Sequence, residues 1–80
     1  ATGVGGDQID ELLRSWVIEE SLNRLTIEHR QTIVQVYYQG RSAVDVALEF
    51  GVPESTVRTR LFYGLKALRL ALDELGWIDA

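Results

Sequence analysis

The sequence predicts an all-α fold: one small four-helix domain containing a helix-turn-helix. Three observations carry this expectation. Apolar residues recur at helical spacing from Asp7 onward, which marks buried helix faces. No stretch alternates with period two for long enough to make a strand. Gly, Ser, Thr and Pro fall between the periodic runs, where helices start and stop. With 80 residues, 46% apolar and 25% charged, the chain can bury one core but not two, and it is too apolar to remain disordered.

Residues 1–6, Ala-Thr-Gly-Val-Gly-Gly, are small and aperiodic and read as a linker or cloning remnant, with the domain expected over 7–80. A phosphate-cradling glycine loop would need a preceding strand and a fuller motif. The first helix starts at Asp7, with Ile9, Leu12, Leu13, Trp16 and Val17 on one stripe and Asp7, Asp10 and Glu11 at the end where the dipole favours negative charge. It runs to about Leu22, and Leu25 closes the apolar run. Thr26 suits an N-cap for the second helix, whose buried side is read as Ile33, Val34, Val36 and Tyr37, with Gly40 as its stop. Ser42 caps a short third helix, with Asp45 completing a capping-box-like pair. Val46, Ala47 and Phe50 face inward, and Gly51 sits where a left-handed residue ends the helix. Pro53 opens the fourth helix, along which Val57, Leu61, Leu65, Leu68, Leu72 and Leu75 form one face. No internal repeat is apparent.

Composition removes several function classes. Without Cys there is no disulfide, thiolate metal site or cysteine nucleophile. The lone His29 does not make a histidine-built metal site or a Ser-His-Asp triad. No apolar run approaches the roughly 20 residues of a membrane span, and the opening residues lack the basic and apolar regions of a secretory signal. Glu19 and Glu20 are adjacent carboxylates, but neighbours on a helix point about 100° apart and do not share one site. No enzyme, metal or cofactor is expected.

The net charge of −4 argues against a nucleic-acid partner only as an average. Residues 1–28 hold six acids against Arg14 and Arg24; residues 29–51 balance Arg30 and Arg41 against Asp45 and Glu49. Residues 52–72 hold Arg58, Arg60, Lys66 and Arg69 against Glu54 alone, and 73–80 hold Asp73, Glu74 and Asp79. Basicity is concentrated in one segment, and that asymmetry says more about partners than the total does.

That segment contains the second half of a helix-turn-helix, expected over about 42–62. In Ser42–Leu61, SAVDVALEFGVPESTVRTRL, a short helix, a Gly turn and a longer helix follow in order. Ala47 is small where the helices cross, Gly51 permits the turn, and Val52 and Val57 fill the angle. With Val57 at zero and about 100° per residue, Leu61, Leu65, Leu68 and Leu72 lie within roughly 80° of it, whereas Arg58, Thr59, Phe62, Lys66 and Arg69 lie between roughly 100° and 200°. Arg reads guanine through two hydrogen bonds, Thr reaches base edges or a thymine methyl, and Phe packs on that methyl. Ser55, Thr56 and the helix N-terminus suit phosphates. An αα-corner whose outer face meets a protein rather than DNA shares this spacing.

The run SLNRLTIEHRQTIVQVYYQGRSAVDVALEFGVPESTVRTRLFYGLKALR resembles region 4 of bacterial extracytoplasmic-function sigma factors, of the sigma-70 family. The resemblance rests on Leu22–Leu25, Glu28-His29-Arg30, the Tyr37–Gly40 turn and Gly51–Leu61, and covers about residues 20–70. It implies a cytoplasmic bacterial domain that reads the −35 promoter element, docks on the β flap of RNA polymerase core, and is restrained by an anti-sigma factor, often zinc-binding. No counterpart of the region that melts the −10 element is legible here. By position, Arg58, Thr59 and Phe62 match base contacts, and Ser55, Thr56 and Arg60 match positions near phosphates. Lys66 on the outward face and Arg41 before the third helix are assigned to the DNA backbone. Tyr63 departs from the Arg or His frequent there, leaving the neighbouring base preference open, and Val44-Asp45-Val46 departs from the commoner acidic-Ile pattern. A chain with no Cys and one His does not itself supply the zinc site of such a complex. Leu70 on a polar face, with Trp77 and Ile78 beyond the last helix, are candidate partner contacts. Two other readings fit parts of the chain: a protein-interaction module alone, and a response-regulator output domain, which shares the Leu25-Thr26-Ile27-Glu28 start. The Tyr37–Gly40 turn and the Arg58–Arg60 run fit the sigma reading better.

Overall fold

A computed structural model describes residues 6–76. Trp77 and Ile78, and all but the last residue of the expected linker, lie outside them. Four α-helices follow in order: α1 (Gly6–Asn23), α2 (Ile27–Ile33), α3 (Ala43–Phe50) and α4 (Glu54–Glu74). Between α2 and α3 the chain continues as a π-helical turn, Val34–Tyr38. The expected all-α architecture is present, with no strand among the described residues.

The caps sit where the hydroxyl residues placed them. Thr26, extended at φ −62° and ψ 157°, accepts from the His29 N–H at 3.4 Å. Ser42 accepts from the Asp45 N–H at 3.1 Å. Pro53 differs by one position: it is the N-cap, not the first helical residue. Its carbonyl accepts from the N–H groups of Thr56 and Val57 at 3.0 and 3.4 Å.

The π turn is the main departure of the backbone. Gln39 donates to the Val34 carbonyl at 3.0 Å, one residue further back than an α-helix allows. The extra residue in the turn rotates everything after Val34. Tyr37, expected on the buried side, is therefore 60% exposed, while Val36 packs against the core.

That core lies inside the angle between α3 and α4. Val46 and Val57 are fully buried beside Ala47, with Ala43, Phe50, Val52 and Leu61 around them. Along α4 the inner face is turned slightly from the expected one. Leu65 is exposed, and the buried positions are Val57, Gly64 and Ala71, seven residues apart, with Leu61, Leu68 and Leu75 half-buried beside them. Small residues at these positions let α4 approach its neighbours closely. A Cβ on Gly64 would stand 3.2 Å from Ile33 Cδ1 and 3.3 Å from His29 Cβ, so the crossing of α2 and α4 has no room for one without a shift.

The C-terminal turns of α1 join this assembly. Ser21 and Leu22 are buried, and Arg24 reaches Glu74 of α4 at 3.5 Å. Arg30 of α2 donates to the Asn23 side chain at 3.1 Å. The N-terminal part of α1 is different: Ile9, Leu12, Leu13 and Trp16 are 48–68% exposed. The stripe is helical, as its spacing predicts, but the described residues do not cover it.

Candidate nucleic-acid interface

The orientation of α4 is set by the turn before it. Gly51 adopts φ 67° and ψ 37°, a left-handed conformation that a Cβ disfavours. The N–H groups of Gly51 and Val52 both close on the Ala47 carbonyl, at 3.1 Å for Val52. Val52 and Val57 then pack on Val46 and Ala47, which fixes α4 across α3. The expected helix-turn-helix is thus held by buried apolar contacts, and its outer face is left to other work.

That face carries four of the eight expected site residues. Arg58, Thr59, Phe62 and Lys66 are all exposed, and Arg58, Phe62 and Lys66 follow each other at four-residue spacing on one side of α4. Phe62 is fixed by its neighbours. Its ring meets Tyr63 edge-on at 5.1 Å and 88°, and Lys66 Nζ lies 5.7 Å from its centroid. Both arrangements are favourable for an aromatic quadrupole. Ser55 is exposed and Thr56 half-buried in the first turn. Arg60 is half-buried, and helical period turns it roughly 160° from Arg58, onto another flank.

Arg58 has a partner within the helix. Its Nε donates to Glu54 Oε2 at 2.8 Å, and its Nη2 donates to the same oxygen. Spacing makes such a pair legible, whereas charge counting shows Glu54 only as the lone acid of a basic segment.

Arg41 is the most thoroughly tied of the expected residues. Its Nη1 donates to Gln35 Oε1 and Glu49 Oε1, both at 2.6 Å, and Gln35 Nε2 donates to Glu49 Oε2 at 2.7 Å. Nη2 reaches the Asp45 carbonyl at 3.5 Å. The three side chains pin the π turn to α3, a role that periodicity does not reveal. The hydrogen bond from Gln35, then that from Arg41, holds the Glu49 carboxyl below the ordinary glutamate range. A depressed carboxyl contributes stability that is full above the ordinary range and lost as pH falls through the folded value. Thermal unfolding from pH 7 to pH 3 should therefore show the wild type losing its advantage over Glu49→Gln as the medium becomes acid. A gap that stayed constant would contradict this linkage.

Leu70 is exposed, as its place on the polar side of α4 predicts. Val44 and Leu48 of α3 are exposed as well, and the sequence pattern does not mark Leu48. Among the described residues no cluster of His, Cys, Asp or Glu could hold a metal ion, and no helix is long and apolar enough to cross a membrane.

Comparison with known proteins agrees with this geometry. The family described as "Sigma-70, region 4" matches residues 21–70, which includes the π turn, α3 and most of α4. ECF RNA polymerase sigma factor SigL of Mycobacterium tuberculosis, in strains H37Rv, CDC 1551 and Erdman, is 41% identical over 70 residues, covering 88% of this chain. The chain spans 40% of the length of those relatives. With its fold, turn and family match in agreement, the chain belongs to the sigma-70 region 4 family, the helix-turn-helix domain of RNA polymerase sigma factors.

Proposed function

We propose that this domain reads the −35 element of bacterial promoters, placing α4 in the major groove. The observation that carries the proposal is the α4 face on which Arg58, Thr59 and Phe62 stand exposed in a segment with a single acid. These three make the base contacts, through guanine hydrogen bonds, base edges and thymine methyl packing. Ser55, Thr56, Arg60 and Lys66 contact the phosphates, joined by Arg41 through the N–H groups that Gln35, Glu49 and Asp45 leave free.

Binding to duplexes selected from a random pool by the wild-type chain tests this reading. Arg58→Ala should weaken the selected duplex by about 1–3 kcal/mol and relax preference at one base pair. A variant that kept the wild-type ratio of selected to scrambled duplex would remove Arg58 from the base-reading set.

A second, compatible reading is favoured by the exposed α1 stripe, a surface of the kind that meets protein. In it the domain acts within a cytoplasmic sigma factor, docking on the β flap of RNA polymerase core and held in check by an anti-sigma factor. This chain, with no Cys and one His, does not itself supply the zinc site of such a complex.

A further inference from the structure

We propose that Glu54 is a positioning residue for base readout: it occupies one edge of the Arg58 guanidinium and so presents the other edge to DNA. The inference rests on the −35 reading and names a specificity determinant within it. Arginine has five N–H donors, arranged as a side edge (Nε and one Nη2 hydrogen) and an end edge (Nη1 and the other Nη2 hydrogen). Nε and Nη2 of Arg58 both converge on Glu54 Oε2. The side edge is therefore taken, and the end edge is the fork left for the two acceptors of guanine.

Two further observations favour a role in recognition over one in stability. The pair is exposed, with 68% of the Arg58 side chain and 39% of the Glu54 side chain accessible, and exposed pairs one helical turn apart add little to folding. Glu54 is also the only acid between Val52 and Leu72. An unpaired carboxylate beside this face would repel phosphate, whereas one bonded to Arg58 removes a flexible cation from non-specific contacts and fixes it for a specific one. Glu54 lies in the first turn of α4, where any acid also favours the helix dipole. The two roles separate chemically: the dipole responds to charge, and orientation responds to an acceptor oxygen.

The test compares wild type, Glu54→Ala and Glu54→Gln for binding to the duplex that the wild type selects and to a scrambled duplex, alone and with Arg58→Ala. The wild type should prefer the selected duplex. Glu54→Ala should lower that preference about ten-fold, a loss of the size expected for one misplaced bidentate contact. Glu54→Gln, which keeps an acceptor for Nε, should stay within about three-fold of the wild type, and with Arg58→Ala neither change should lower the preference further. Melting temperatures of the Ala and Gln variants should match each other, because both lose the charge. A preference unchanged in Glu54→Ala, or equally reduced by Gln, or reduced further in the Arg58→Ala background, overturns the positioning role while the DNA reading stands. A wild-type chain with no preference overturns the DNA reading, and this inference with it.

Discussion

Gly64→Val should remove about 3 kcal/mol of folding stability, lowering the melting temperature by roughly 10–20 °C in a domain of this size. The β-carbon alone would stand 3.2 Å from Ile33 Cδ1 and 3.3 Å from His29 Cβ. Ile33 is 2% exposed, so its side chain has little free space to enter. His29 Cβ is attached directly to the α2 backbone and moves only if the helix moves. Valine then adds two methyls and forces α2 from α4, and the gain of about half a kcal/mol in helix propensity over glycine does not offset this. Gly64→Ala separates the two effects. Its propensity gain of about 1 kcal/mol opposes a contact only a few tenths of an ångström too tight, so its net change should be near zero. Urea unfolding of both variants checks the pair. A valine variant as stable as the wild type would mean that the crossing is looser than the structure shows.

Affinity for DNA should fall steeply with salt. With roughly three or four phosphates contacted, each contributing a slope of about 0.9, binding should weaken roughly 40- to 150-fold between 50 and 200 mM monovalent salt. The expectation follows from where the charge sits: four basic residues and one acid in 52–72, within a chain of net charge −4. A total-charge argument predicts almost no attraction, so the slope discriminates between the two descriptions. Lys66→Ala should reduce the slope by about one unit and weaken selected and scrambled duplexes alike. A flat response to salt would favour docking on protein as the work of this face.

Features that rest on local chemistry were legible in the chain itself. Thr26, Ser42 and Gly51 mark helix ends because a hydroxyl or a missing Cβ solves a backbone problem within a few residues. Val46, Ala47 and Val57 were readable as the core because the turn length leaves one way for their faces to meet. What escaped depended on space. Gly64 and Ala71 carry little apolar surface, so a reading based on hydrophobicity put Leu65 in their place, although the seven-residue spacing from Val57 was there to see. The π turn has no local signature in this segment, and Tyr37 was turned inward on the assumption of a regular helix. Ile9, Leu12, Leu13 and Trp16 illustrate another gap: periodicity shows that a face exists, not that anything covers it. On the candidate interface, exposure of Arg58, Thr59, Phe62 and Lys66 followed from the helical wheel. The Gln35–Arg41–Glu49 clasp joins side chains up to 14 positions apart and needed the fold.

The 21 residues of α4 span about 30 Å as one uninterrupted rod. One end carries Arg58; the other, at Glu74, is touched by Arg24, the residue just after α1. Between those ends α4 is clamped twice, at the Gly64 crossing with α2 and at Val57 in the core with α3. A force applied near Glu74 therefore does not swing the Arg58 end alone: the rod moves only if α2 and α3 move with it, so the domain responds as one rigid body.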